Sequence, residues 1–190
     1  MKEILHMIVV LSLICGVSGF SLATLKQATR ERIEGQVLTY VQGPALLAVV
    51  GEHDNDPIAE RKVLGDDKQF VFPVIRDGEL VGVALETFAP GYSGNIGVMV
   101  GFNLADDTLM GIGVTTQTET PGLGTRVMEP SFTGQFAAHS LGGLALKAQG
   151  GDIDGVSGAT FSSVGTANAV ANAAKVYESL KPAIIKAFKG

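Results

Sequence analysis

A long uncharged run near the N-terminus constrains this chain more than any other feature. Residues 4–25, ILHMIVVLSLICGVSGFSLATL, contain no Asp, Glu, Lys or Arg. A helix needs about 20 predominantly apolar residues to cross a bilayer, whereas the core of a cleaved signal peptide has about 7–15. The run therefore predicts an uncleaved transmembrane anchor over residues 1–27, with a cleaved signal peptide as the alternative.

The charges beside this run leave its orientation open. Lys2 and the adjacent Glu3 precede it, and Lys26, Arg30 and Arg32 follow it. The positive-inside rule places Lys and Arg on the cytoplasmic side, and here it does not favour a cytoplasmic N-terminus. Counting charges alone, we regard the topology as undecided.

Small residues inside the run recur at helical spacing. Ser12, Gly16, Gly19 and Ala23 fall on one helix face, which lets a second helix approach closely in lipid. Chance in a Gly- and Ser-containing span is the alternative to this docking face. Cys15, the sole cysteine, excludes an internal disulfide bond and a cysteine metal site, and the bulky residue before it argues against lipid attachment.

The composition of the chain fits a globular domain behind the anchor. Hydrophobic residues make up 46% of the 190 residues and charged residues 17%, which allows a packed core and argues against bulk disorder. The net charge is -5 and no stripe of Lys and Arg occurs. Nucleic acid is therefore excluded as the expected partner, because phosphate neutralisation needs clustered cations.

Residues 28–68 are predicted to be a helical and loop connection. Alternating charged and apolar residues suggest that the helix continues out of the membrane until Pro44 limits it. His53, Asp54 and Asp56 lie in a polar, turn-rich stretch. Their spacing matches no recognised metal site, so we interpret this stretch as a solvated loop.

Residues 69–190 are predicted to be one domain of the α+β class. Four runs of strand character, QFVFPVI, ELVGVALETF, NIGVMVGF and TLMGIGVTTQ, are joined by short turns, one of which is the hairpin signal Asp77-Gly78. This order favours an antiparallel sheet, and glycines on one face of two strands leave room for something to lie close. Packed helices are predicted near residues 132–148 and after Ser162, with Pro182 interrupting the second.

The segment DGVSGATFSS, residues 154–163, places small and hydroxyl residues where a loop becomes a helix. A helix N-terminus offers free backbone N–H groups and the positive end of the helix dipole, which suit a phosphate. Small neighbours leave the Thr160 hydroxyl open to a large reactant. Taken alone, an ordinary helix cap explains the segment better. Asp152 and Asp154 are awkward beside a phosphate and form either a turn or a recognition signal for a modifying enzyme.

A second segment, TETPGLGTR at residues 118–126, predicts a tight exposed turn at the end of a strand. Its backbone amides and small residues suit the flat edge of an aromatic cofactor. An ordinary loop is the alternative, and it is favoured when this segment is considered by itself.

Together with PGYSGNIGVMVG, these two segments resemble the flavin-binding G subunit of the Rnf membrane complex, an electron-transport assembly linking ferredoxin and NAD. The resemblance covers roughly residues 70–177. It implies that FMN is carried on Thr160 through a phosphoester bond made by a separate flavin transferase that uses FAD. It assigns the phosphate pocket to Ser157, Gly158, Ala159 and Ser163. Candidates to contact the isoalloxazine are Glu119, Thr120, Leu123 and Gly124; Tyr92 is possible, although a core position suits it better.

The resemblance also implies the setting of the chain. The domain is expected outside the cytoplasm, anchored in the inner (cytoplasmic) membrane by a single pass through the lipid, among other subunits of the complex. Since no G-x-G-x-x-G follows a strand, we expect a subunit that relays electrons, coupled to ion translocation, and is not catalytic alone on a soluble substrate. The related C subunit of the sodium-translocating NADH:quinone reductase is the first alternative. An anchored extracytoplasmic binding or scaffold domain without a redox role is the alternative from another class.

Overall fold

The computed structural model describes residues 2–189, without the side chains of Glu31, Glu34 and Lys189, so the predicted outer limits at Met1 and Gly190 lie outside it. The chain divides after Thr39 into two units. The first consists of helix α1, Lys2–Val37. Within its part Lys2–Arg30, an 18-residue window reaches a mean hydropathy of 2.2, so this part is long and apolar enough to cross a membrane. The predicted helical anchor is therefore present in the fold.

The chain stays helical beyond the point where Pro44 was expected to limit it. A π-helical turn, Leu38–Gln42, follows α1 and leads into helix α2, Gly43–Val50. Pro44 lies in the first turn of α2, where the missing backbone N–H of proline is not needed. Gly51, at φ +63°, then ends the helix.

Five antiparallel strands form one sheet in the order of the sequence. They are β1 Lys62–Leu64, β2 Gln69–Arg76, β3 Glu79–Pro90, β4 Asn95–Asn103 and β5 Leu109–Thr116. Asp77 and Gly78 join β2 to β3 with φ values of +52° and +77°, as a type I′ hairpin requires. The four strands predicted from Gln69 onwards are confirmed. The edge strand β1 was not predicted; it and α2 lie inside the stretch 28–68 that was predicted as a connection.

Helix α2 covers one face of the sheet at the glycines singled out in the sequence. A Cβ on Gly101 would lie 2.7 Å from Val49 Cγ1, and one on Gly113 would lie 3.2 Å from Val49 Cγ2. Leu46, Val49 and Val50 are buried there. The group that lies close to the glycines of the sheet is therefore helix α2 of the same chain.

Helix α4, Thr160–Lys189, packs on the other face of the sheet and closes the main core. Tyr177 is fully buried and stacks on Phe102 of β4, with ring centroids 4.4 Å apart. The Thr87 hydroxyl of β3 donates to the Ala169 carbonyl at 2.6 Å, which adds a polar contact between helix and sheet. The prediction of a helix after Ser162 is confirmed, but Pro182 lies inside it and does not end it.

The helix predicted near residues 132–148 is wrong. That stretch contains a single α-helical turn, α3 at Pro130–Thr133, a 3-10 turn at Gly134–Phe136 and, after irregular chain, the start of another 3-10 turn at Lys147–Gln149. Ala138 and Gly143 take φ values of +56° and +72°, which an α-helix cannot accommodate. The apolar residues that suggested helical spacing serve as separate anchors in the core, as the edge-to-face pair Phe132 and Phe136 shows.

Candidate cofactor site

A cavity of about 350 Å³ opens at the N-terminal end of α4. Three segments far apart in sequence enclose it: the loop after β3, the turn after β5, and the first turn of α4 with the residues before it. Its lining consists of Tyr92, Glu119, Thr120, Leu123, Gly124, Gly158, Ala159, Thr160, Phe161 and Ser162. Both segments highlighted in the sequence therefore meet in one place.

The cavity presents Thr160 as the exposed first residue of α4. Gly158 lies two residues earlier at φ +80°, and a Cβ there would lie 3.0 Å from Leu123 Cδ1. Glycine is favoured on both counts, because L residues rarely adopt this backbone conformation and the space is tight. Ala159, only 5% exposed, follows it and tucks the chain against the domain. Thr160 is thus exposed at the first position of α4, directly after the closely packed Gly158 and Ala159.

The start of α4 supplies donors beside this hydroxyl. The amides of the first helical turn have no carbonyl one turn earlier to bond, and the helix dipole is positive at this end. Thr160, Phe161 and Ser162 all lie in this turn and line the cavity. A phosphate ester on the Thr160 hydroxyl would therefore sit where an anion is stabilised.

Apolar side chains form the outer walls of the cavity. Tyr92 is 71% exposed, Phe161 68% and Leu123 44%. The ring centroids of Tyr92 and Phe161 are 6.1 Å apart, with the rings tilted by 46°. The preferred core position for Tyr92 is wrong, because its ring projects from the loop after β3 and faces the start of α4. Exposed aromatic walls of this kind suit a flat ring system.

A buried carboxylate forms the back of the cavity. Glu119 is 4% exposed, and its Oε1 accepts a hydrogen bond from the Ser93 amide at 2.9 Å. Its Oε2 accepts from the Tyr92 amide at 3.2 Å and from the Ser162 hydroxyl. Burial raises the pKa of the Glu119 carboxyl, but hydrogen bonds from the Ser162 hydroxyl and the nearby amides outweigh it, so the pKa lies below its usual range. The group is an anion at neutral pH.

Glycines make room for this carboxylate on two sides. A Cβ on Gly91 would lie 2.7 Å from Glu119 Oε1. A Cβ on Gly124 would lie 2.8 Å from Glu119 Cβ and 2.8 Å from the Ser162 Oγ. Gly91 of PGYSG and Gly124 of PGLG therefore let three segments close around a single side chain.

Comparison with known proteins shows which family this chain belongs to. Residues 91–175, which include every residue lining the cavity, match the model of the FMN-binding domain. The chain is 30% identical to the G subunit of the ion-translocating oxidoreductase complex of Methanosarcina acetivorans, over 90% of this chain and 93% of that relative. The chain belongs to this G-subunit family. The corresponding protein of Pseudoalteromonas atlantica is 31% identical over 94% of this chain and 90% of its own length.

A solved structure has the same fold as this G-subunit family member. The C subunit of the Na⁺-translocating NADH-quinone reductase from Parabacteroides distasonis superposes with a TM-score of 0.52 at 24% identity. The match covers 68% of this chain and 72% of that protein. The chain therefore shares its fold with this C subunit, to which its sequence motifs were also related.

This G-subunit fold brings together most of the predicted site residues, and two of them lie elsewhere. Ser157 is exposed but does not line the cavity. Ser163 is fully buried; its hydroxyl donates to the Ala159 carbonyl at 2.9 Å and accepts from the Val156 amide at 2.9 Å. Ser163 therefore ties the loop to the helix that presents Thr160.

Two lining residues, Phe161 and Ser162, were not among the residues assigned to the site from the sequence, although the Ser162 hydroxyl is a candidate donor to a phosphate there. Ser162 is 2% exposed and donates to Glu119. Ser162 could have been predicted from its position two residues after Thr160, because residues of the same first helical turn lie beside the Thr160 hydroxyl. What the sequence does not show is the carboxylate, 43 residues earlier, that it meets.

Neither Asp152 nor Asp154, the first residue of DGVSGATFSS, lines the cavity. The Asp154 carboxylate pairs with Lys147 Nζ at 2.6 Å. Asp152 lies 3.7 Å from His139 Nε2. These contacts give both carboxylates partners outside the cavity lining, which lessens the conflict between their charges and a phosphate beside Thr160.

Proposed function

We propose that Thr160 carries FMN through a phosphoester bond in an electron-transfer subunit of an ion-translocating oxidoreductase complex. Membership of the G-subunit family and the FMN-binding domain match give the cofactor and the kind of complex. The observation that carries the attachment is the exposed Thr160 hydroxyl at the start of α4, inside a cavity with aromatic walls.

The residues of the cavity fit FMN at both of its ends. The first-turn amides of α4 would stabilise the phosphate at Thr160. Tyr92, Phe161 and Leu123 would contact the isoalloxazine ring, and their exposure lets them close on a flat group without rearranging the core. Because Glu119 already accepts hydrogen bonds on both oxygens, its charge is compensated behind the cavity.

Attachment needs a reaction that this chain does not perform alone. A flavin transferase would direct the Thr160 Oγ at the phosphorus of the FMN half of FAD. The new Oγ–P bond forms as the phosphoanhydride bond breaks, AMP leaves, and the hydroxyl proton passes to solvent. The small residues Gly158 and Ala159 next to Thr160 leave this approach open.

The bound cofactor would supply reversible electron transfer, and the chain would position it. Tyr92 and Phe161 would hold the ring near the domain surface, where a neighbouring redox centre can approach. We infer a relay between other subunits of the complex, not the oxidation of a soluble substrate. In this arrangement the single N-terminal span keeps the domain beside its partners in the lipid.

Co-expression with a flavin transferase tests the attachment. Intact-mass measurement should show the mass of FMN minus one water added to the chain, and the denatured band should fluoresce. Thr160→Ala should remove both signals, whereas Thr160→Ser should keep them because it retains a hydroxyl at the same place. Thr116→Ala is the matched control, since Thr116 is another exposed threonine and does not line the cavity. A full mass increment on Thr160→Ala would refute the proposed site.

We propose that the domain lies on the extracytoplasmic side of the inner membrane. The test places one cysteine at the exposed Glu178 in a Cys15→Ser background. A membrane-impermeant maleimide should label this cysteine in intact cells or in spheroplasts. Labelling that requires lysis of the inner membrane would place the domain in the cytoplasm and overturn this part of the proposal.

A further inference from the structure

The contacts of Glu119 differ from those of a residue that binds a cofactor directly. Both carboxylate oxygens are directed at protein donors, and the side chain is 4% exposed. Those donors belong to two segments that are far apart in sequence, the loop after β3 and the first turn of α4. Glu119 itself belongs to a third segment, the turn after β5.

We propose that Glu119 is a positioning residue. It fixes the loop carrying Tyr92 against the helical turn carrying Thr160 and Phe161, and it does not contact the flavin. The inference rests on the proposed function for its consequence, which is the correct placement of the attachment hydroxyl and the aromatic walls. It replaces the direct contact with the isoalloxazine expected from the sequence.

The loop after β3 is the first part that Glu119 holds. Gly91 and Gly94 close this loop through a backbone hydrogen bond of 2.7 Å, from the Gly91 amide to the Gly94 carbonyl. The amides of Tyr92 and Ser93 then point inward to Glu119, while the Tyr92 ring points outward, 71% exposed. The carboxylate therefore determines where the base of the Tyr92 side chain lies.

The first turn of α4 is the second part that Glu119 holds. The Ser162 hydroxyl donates to Glu119 Oε2, the same oxygen that accepts from the Tyr92 amide. Thus one oxygen atom connects the loop and the first turn of α4. Thr160 and Phe161 precede Ser162 in that turn, so any shift of Ser162 moves both of them.

The space around this carboxylate is filled by backbone. Cβ atoms on Gly91 or Gly124 would approach Glu119 within 2.7–2.8 Å. Gly165, one turn into α4, packs against Gly91 in the same way, with a hypothetical Cβ 2.9 Å from the Gly91 Cα. Three segments are in backbone-level contact here, and glycines at the junction leave room for the Glu119 carboxylate between them.

Glu119→Gln tests the proposal with almost no change in shape. An amide has one acceptor and one donor end, whereas the carboxylate accepts on both oxygens. Whichever way the amide is turned, its NH₂ group faces the backbone N–H of either Tyr92 or Ser93. The loop after β3 should therefore separate from the first turn of α4 in this variant, even though the glutamine side chain fits the space of the Glu119 side chain.

The first measurement needs no flavin. In Glu119→Gln, amide hydrogen exchange should be at least about tenfold faster at residue 92 or residue 93, whichever faces the NH₂ group, since loss of a hydrogen bond to a buried charge has that size. Amides of β4 should keep their protection. Glu129→Gln, which alters a half-exposed carboxylate in the same region, is the matched control and should change neither set. Unchanged exchange at both residues in Glu119→Gln would overturn the proposal.

The second measurement follows flavin loading. The rate of FMN attachment to Glu119→Gln should fall at least about tenfold, and the residual loaded protein should show altered flavin fluorescence and visible circular dichroism. Thr160→Ser in the same assay shows how far a direct change at the attachment point lowers the rate. Normal loading with a normal flavin spectrum would contradict a positioning role.

A second variant keeps the test decisive if Glu119→Gln unfolds the whole domain. Ser162→Ala removes the helix connection and leaves the loop hydrogen bonds in place. It should slow flavin loading while residues 92 and 93 stay protected; loading at the wild-type rate would overturn the proposal. If the wild-type chain takes no flavin at all, the proposed function fails, and the exchange measurement still decides whether Glu119 holds the loop.

Discussion

Two carboxylates attach α4 to the rest of the domain, and they differ in their surroundings. Glu119, near the first turn, is 4% exposed and accepts hydrogen bonds from two backbone amides and the Ser162 hydroxyl. Asp107, near the other end, has a side chain that is 46% exposed. It accepts hydrogen bonds from Lys181 Nζ and from the Tyr177 hydroxyl, each at 2.7 Å.

The difference shows how the fold allocates rigidity along one helix. The donors to Glu119 are backbone groups and a short hydroxyl, so they have little freedom once the chain is folded. Lys181 reaches Asp107 on a flexible four-carbon stem and tolerates small movements. The end of α4 that presents Thr160 is therefore fixed more tightly than the end that only needs to stay attached.

The largest expected effect comes from deleting the buried carboxylate. Glu119→Ala leaves two part-buried amides and a buried hydroxyl without their acceptor, and each fully buried group of this kind costs about 1–3 kcal/mol. We expect the free energy of unfolding to fall by about 3 kcal/mol, measured by urea denaturation of the purified full chain in detergent. Glu129→Ala, with a half-exposed side chain, should change it by less than about 0.5 kcal/mol. A loss for Glu119→Ala no larger than that for Asp107→Asn would refute the contrast between the two ends of α4.

The next effect probes the glycine contact beside Glu119. In Gly165→Ala the new Cβ would lie 2.6 Å from the Pro90 carbonyl oxygen, which is backbone and cannot turn away. We expect a loss of about 2 kcal/mol in unfolding free energy, after allowing for the better helix propensity of alanine. Gly134→Ala is the control, because nothing lies within 4 Å of its Cβ position and its φ is not positive. A neutral Gly165→Ala would mean that α4 can move off the loop without cost.

A smaller effect is expected at the exposed carboxylate. Asp107→Asn should cost about 1 kcal/mol at pH 7, because the ion pair with Lys181 is partly solvated. Hydrogen bonds from Lys181 and then Tyr177 lower the pKa of Asp107. Its stabilisation is therefore present above the ordinary Asp pKa of about 3.9 and is lost as the pH falls through the lowered value. Denaturation between pH 5 and pH 2, roughly the range around that pKa, should show a shallower pH dependence for Asp107→Asn than for the wild type.

The smallest effect separates the ring of Tyr177 from its hydroxyl. Burial, followed by the hydrogen bond to Asp107, raises the pKa of Tyr177. Tyr177→Phe keeps the stack on Phe102 and removes one hydrogen bond, so we expect a loss of about 0.5–1 kcal/mol. Thermal unfolding of this variant and of the double variant with Asp107→Asn measures the coupling. A larger loss of unfolding free energy in Tyr177→Phe than in Asp107→Asn would mean that the Tyr177 hydroxyl contributes more to stability than the Asp107 charge.

The sheet was predictable from sequence because its signals are local. Runs rich in β-branched and aromatic residues on both sides of the Asp77-Gly78 turn indicate β2 and β3 without reference to the rest of the chain. The stretch 132–148 misled because its apolar residues fit helical spacing, while the positive φ of Ala138 depends on tertiary contacts. Strand β1 escaped notice because it has three residues and belongs to a sheet edge.

The site was predictable where a motif presents a residue and unpredictable where distant residues meet. Thr160 could be singled out from its small neighbours and the helix behind it. The contact of Glu119 with Ser162 joins positions 43 residues apart, and no periodicity records such a pairing. Gly91 and Gly124 both lie against the Glu119 carboxylate, but this closeness exists only in the folded chain and cannot be seen in the sequence.

The order of the strands has a consequence for how the molecule assembles. Each strand pairs with its neighbour in sequence, so the sheet can form from short-range encounters, which are rapid. Helix α4 comes last in the chain and packs on β3 and β4 across a long separation. We therefore expect the meander to gain structure first and the cavity at the start of α4 to appear last. Folding kinetics of Leu85→Ala in the sheet and Ala173→Gly in the helix would reveal this sequence of events, with φ-values high in the former and low in the latter.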